Sequence, residues 1–101
     1  MGIEQRIAQA RAASPGIPVD CYALFANHTD AMTLYACARR DGFAARVSPT
    51  PRAARSSCGV ALLVEASDAV ALEALAQREG VELEGLVALP RQIDAHRDRY
   101  C

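Results

Sequence analysis

Two glycines, Gly42 and Gly80, each close a stretch with apolar residues at helical spacing, and each stretch lies between two apolar runs. A side chain with a β-carbon resists the left-handed backbone that ends many helices, so glycine at such a point marks a helix stop. The pattern predicts strand, helix, strand, and then the same again. Strands are expected over 20–26, 43–48, 59–66 and 81–89, and helices over 28–41 and 67–79. Ala31, Leu34, Tyr35 and Ala38 form the buried stripe of one helix, and Ala71, Leu72, Leu75 and Ala76 that of the other. Thr29 and Ser67 stand where N-cap residues are expected. Two βαβ halves of this size predict an α+β chain, a ferredoxin-like βαββαβ two-layer sandwich with strand order 4-1-3-2. Residues 3–13 read as a further helix, broken by Ser14-Pro-Gly-Ile-Pro18. The chain thus divides into a helical arm over 1–19, the α+β domain over 20–89, and a helix or tail over 90–101.

Composition narrows the function. The 101 residues are 51% apolar but only 5% aromatic, so a core of Ala, Leu and Val is expected. A net charge of −1 supplies no field for nucleic acid or an anionic membrane. Domains of this architecture that bind RNA stack bases on strand aromatics, and Val60–Val64 has none. No glycine-rich phosphate loop occurs, and no segment has the length of a membrane span. Residues 1–13 lack the apolar stretch of a signal peptide. The four cysteines (21, 37, 58 and 101) show neither a CxxC pair nor zinc-ligand spacing with His28 or His96. Thiols in a reducing cytoplasm, with no metal and no cofactor, are the expectation. Cys21 and Cys37 read as core residues, and Cys101 as a chain-end thiol.

Cys58 is different. It lies in Pro49-Thr-Pro-Arg-Ala-Ala-Arg-Ser-Ser-Cys-Gly59, where a loop enters an apolar strand. The thiolate is the reactive form of cysteine, and nearby positive charge favours it. Arg52 and Arg55 carry that charge, Ser57 and Gly59 flank the sulfur, and Pro49, Thr50 and Pro51 stiffen the approach. In the expected sheet the third strand runs antiparallel to the first, so Cys58 falls beside Asn27 and His28 at a helix N-terminus. That end carries partial positive charge and free N–H groups. His28 is then a base or a positive neighbour for the sulfur, or simply a helix-start residue.

Pro49-Thr-Pro-Arg52 followed by Cys58-Gly59 and an apolar strand resembles the selenium/sulfur carrier-like family, a domain also found fused behind a sulfur-carrier domain. Phe25-Ala-Asn-His28, leading into an Ala-rich helix that ends at Gly42, resembles the family's opening strand and helix. The likeness covers roughly residues 20–89, and Arg55 departs from it, since many relatives carry a small hydroxyl residue there.

The resemblance implies a carrier rather than a classical enzyme. Cys58 would hold sulfur or selenium as a persulfide or perselenide between a donor protein and an acceptor protein. Two other readings of the same residues stay open. In one, the arginines and the helix N-terminus hold an anion or metabolite without chemistry. In the other, the chain is an adaptor subunit or a homo-oligomer, using a sheet edge or the N-terminal arm.

Overall fold

Both glycine stops end their helices in the same way. The computed structural model describes residues 2–52, 54 and 58–91. In it α2 spans His28–Arg40 and α3 spans Ala69–Glu79, while α1 occupies Ile3–Ala13 as expected. Gly42 and Gly80 have φ of 86° and 72°, in the left-handed region. The Gly42 N–H donates to the Arg39 carbonyl and the Phe43 N–H to that of Ala38; Gly80 donates to Gln77 and Val81 to Ala76. These paired bonds are the Schellman arrangement, in which the residue after the glycine turns inward onto the helix it has just left.

That use of Phe43 and Val81 explains where the strands begin. Strand β1 is Val19–Leu24, β2 is Arg46–Pro49, β3 is Val60–Glu65 and β4 is Gly85–Pro90. The expected second and fourth strands start too early, at 43 and 81, because those residues serve the helix caps and pack into the core instead. Pro90, expected to open the C-terminal segment, is the last residue of β4. Residues 92–101, with His96 and Cys101, lie outside the described residues.

The helix starts also differ from expectation. Asn27, and not Thr29, caps α2, its side chain accepting from the Asp30 N–H at 2.8 Å. Asparagine is as good a cap as threonine, and it sits one residue ahead of the first helical position. Ser67 lies within a 3-10 turn, Ala66–Asp68, that leads straight into α3 without a side-chain cap. At helical spacing Ala69 joins Leu72, Leu75 and Ala76 in the core, whereas Ala71 faces solvent. Tyr35 is half-buried at the margin of the α2 stripe.

The four strands form one antiparallel sheet in the order β2-β3-β1-β4. With three helices, this is an α+β fold. Strand β1 is central and buried along its whole length. Val19, Cys21 and Ala23 join one core cluster with Leu34, Leu62, Leu72 and Leu75. Ile3, Ile7 and Ala10 of α1 belong to that cluster, so the N-terminal helix packs on the sheet of its own chain. Burying each such leucine contributes about 1.5–3 kcal/mol. On the second face, Tyr22, Leu24 and Ala61 form a smaller cluster with Ala54.

Charged groups tie element ends together. Arg78 reaches Asp41 at 2.8 Å and Arg40 reaches Glu79 at 3.3 Å, joining the C-terminal ends of α2 and α3. These arginines are well exposed, so water screens each pair and they add little to stability. At the sheet end, Arg91 grips the largely buried Asp20 through three hydrogen bonds of 2.9–3.2 Å. Arg91 also donates its N–H to the Pro18 carbonyl at 2.7 Å. Together these bonds hold the residue after β4 to the start of β1.

Candidate functional site

The site is the loop that joins β2 to β3. Proline ends β2 without disrupting the sheet because β2 is an edge strand, where a missing N–H is tolerated. Pro49 pairs with Val60, and the ladder is extended past it by Thr50. The Thr50 N–H donates to the Gly59 carbonyl at 3.0 Å, and its hydroxyl donates to the Cys58 carbonyl at 2.9 Å. One residue therefore holds two consecutive peptides and sets where the thiol leaves the sheet. Within the loop, the Ala54 N–H donates to the Pro51 carbonyl at 3.0 Å, closing a turn around Arg52. Ala54 is 7% exposed and packs on the second sheet face with Tyr22, Leu24 and Ala61. The loop is thus anchored at its base by Thr50 and at its turn by Ala54.

Register places this loop at a defined end of the sheet. Leu24, at the end of β1, pairs with Ala61, near the start of β3. Cys58 precedes Ala61 by three residues and His28 follows Leu24 by four, so both lie at that end, with the N-terminus of α2. Cys58 is partly exposed. His28 and Arg52 are exposed, and neither has a hydrogen bond or ion pair among the described residues. The expected closure of imidazole and guanidinium onto the sulfur is therefore not drawn by any direct bond from these two residues. Arg55 and Ser57 lie outside the described residues. Gly59 has no positive φ, and a β-carbon there would meet no atom within 4 Å. Its contribution is its carbonyl, not its lack of a side chain.

The other two described thiols sit in settings that oppose ionisation. Cys21 is fully buried, and burial, with the neighbouring Asp20 carboxylate, pushes it up to about 11. Cys37 is raised from the ordinary thiol range by desolvation and by its hydrogen bond to Glu79, 3.6 Å away. Burial confirms the core reading of Cys21; Cys37 packs against the core only in part and otherwise joins the charged cluster at the helix ends. Among the described residues no three His, Cys, Asp or Glu side chains form a group able to hold a metal ion. No described helix is long and apolar enough to cross a membrane.

Two features escaped the sequence. Thr50 was legible only as part of a stiff approach, because a hydroxyl just past a strand end has many alternative partners. Ala54 left a fainter signal, a small apolar residue within a polar loop, and its burial depends on which sheet face the loop folds across.

None of the curated proteins and none of the solved structures matches the chain. The family described as "Putative Se/S carrier protein-like" matches residues 20–88, more than half the chain and both halves of the sheet, and the chain belongs to that family.

Proposed function

We propose that this domain, a ferredoxin-like βαββαβ unit, carries sulfur or selenium on Cys58. In the sulfur case, the Cys58 thiolate attacks the terminal sulfur of a donor cysteine persulfide. The donor's S–S bond breaks, its cysteine leaves as a thiolate, and Cys58 becomes the persulfide. The exchange needs no outside oxidant or reductant, because one S–S bond replaces another. An acceptor protein then takes the terminal atom by the same step in reverse. Cys58 is the nucleophile and Thr50 fixes its peptide, while Arg52, Arg55 and the N-terminus of α2 bias the local field towards an anion. Ser57 and Gly59 flank the sulfur, and His28 supplies a proton or balances charge at the same end. The compartment proposed is the reducing cytoplasm, and the partners are a donor and an acceptor protein.

The observation that carries this function is the anchoring of a partly exposed thiol at a loop-to-strand junction, within the segment that the carrier-like family matches. The suppressed ionisation of Cys21 and Cys37 supports the choice of sulfur. Incubation with a cysteine desulfurase and cysteine, followed by intact mass measurement, tests it. Wild-type protein should gain the mass of one sulfur atom, reversible by dithiothreitol, and Cys58→Ser should gain none. Equal labelling of Cys58→Ser would reject the assignment.

A further inference from the structure

A second site lies at the opposite end of the sheet from Cys58. Strand β2 begins at Arg46, opposite Leu63, so Val64 and Glu65 of β3 extend past it. The segment before β2 is drawn away because Phe43 caps α2. This leaves a cavity of about 470 Å³, within the range of small-molecule sites. Its charged lining comprises Arg39 from the last turn of α2, Arg46, Glu65, and the Asp20–Arg91 pair. Asp20 is committed to Arg91 through bonds to both its carboxylate oxygens. Arg39 and Arg46 have no hydrogen bond or ion pair among the described residues, whereas Arg40, Arg78 and Arg91 each have at least one.

The geometry points to a binding site for a small carboxylic acid in this notch, with its carboxylate held by Arg39 and Arg46. Guanidinium groups match carboxylate in shape and form charge-assisted bonds with it. The charge balance selects the class of anion. Three arginines against Asp20 and Glu65 leave one surplus positive charge. A monoanionic carboxylate neutralises the notch, while a phosphate dianion would overshoot and face Glu65. Leu63, Ala44 and Ala45 give a short aliphatic chain an apolar wall. The notch is separated from the Cys58 loop by the length of β3, roughly 16 Å at about 3.3 Å per residue, so the site stands independently of the carrier function.

Titration of the full chain with propionate, followed by amide chemical shifts, tests the site. Saturable shifts are expected at Ala44, Ala45, Arg46, Val64 and Glu65. Arg39→Gln and Arg46→Gln should each weaken binding about threefold to fivefold, as expected for a half-solvated ion pair, and Arg52→Gln should not. All three arginines are exposed, so their variants should keep the wild-type unfolding midpoint. Inorganic phosphate should bind more weakly than propionate. Shifts centred on the Cys58 end, undiminished binding in the Arg39→Gln/Arg46→Gln double variant, or tighter binding of phosphate would overturn the proposal.

Discussion

Replacing Thr50 with valine removes one hydroxyl and little else, since both side chains are β-branched and nearly equal in size. The bond lost is the 2.9 Å contact to the Cys58 carbonyl. The backbone bond from Thr50 to Gly59 remains, because it needs no side chain. Thr50 and Cys58 are only half-buried, so water replaces part of what is lost. The cost should therefore be about 1 kcal/mol, not the larger penalty of an orphaned group in a dry core. For a domain of this size that lowers the unfolding midpoint by roughly 4–8 °C. Local opening should be affected at least as much as global stability. Strand β2 has four residues and is an edge of the sheet, paired with β3 through Arg46–Pro49. Such a hairpin end opens at low free energy. Amide exchange at Thr50 should then speed up roughly fivefold or more, the kinetic counterpart of about 1 kcal/mol. Persulfide loading should fall in parallel, because the Cys58 peptide is no longer held. Thr50→Ser keeps the hydroxyl and should recover exchange and loading. If Thr50→Val matches wild type in exchange and loading, or if Thr50→Ser is equally impaired, the hydroxyl does not position the thiol.

Alkaline stability should report on Cys21. It stays protonated up to about pH 11 in the folded chain but ionises from its ordinary 9.0 once unfolded. Its stabilisation is complete below pH 9 and is lost as pH rises towards 11, by about 2–3 kcal/mol. Cys21→Val, which cannot ionise, should lack that loss in urea unfolding at pH 8, 9.5 and 11; parallel curves for the two proteins would exclude it. Glycine positions should differ sharply. Gly80→Ala, at φ 72°, should cost about 1 kcal/mol, and Gly59→Ala, with open space around it, should stay within about 0.5 kcal/mol. Thermal unfolding of both variants would decide this, and equal midpoints would contradict it.

The parts of the fold legible in the sequence are those with a single local cause. Gly42 and Gly80 announce helix stops because few other residues take a positive φ, and α1 runs from Ile3 to Ala13 because Ser14-Pro15 cannot continue it. Cap identity was less legible because Asn27 and Thr29 are both competent, and only the path of the chain out of β1 decides between them. The early strand starts at Phe43 and Val81 failed for a similar reason. An apolar residue after a helix stop satisfies a strand pattern and a cap pattern equally well, and the second bond of the cap decides the outcome.

For the candidate site, the thiol was legible and its support was not. Charge and glycine around Cys58 are local signals, whereas the Thr50 hydroxyl and the burial of Ala54 depend on how the loop lies against the sheet. The arrangement still implies a division of labour among the described cysteines. Cys21 is held as a neutral thiol by burial beside Asp20, and Cys37 by desolvation and Glu79. Under the proposed carrier function, a sulfur donor at neutral pH meets, among the described thiols, two held back from ionising and one at a partly exposed loop end. In that proposal, selectivity comes as much from what the core and the helix-end carboxylate do to Cys21 and Cys37 as from the charge proposed to favour the Cys58 thiolate. Glu79→Ala tests this point. Without the carboxylate that disfavours its thiolate, Cys37 should alkylate faster at pH 7 while Cys58 keeps its rate, and an unchanged Cys37 rate would show that desolvation alone protects it.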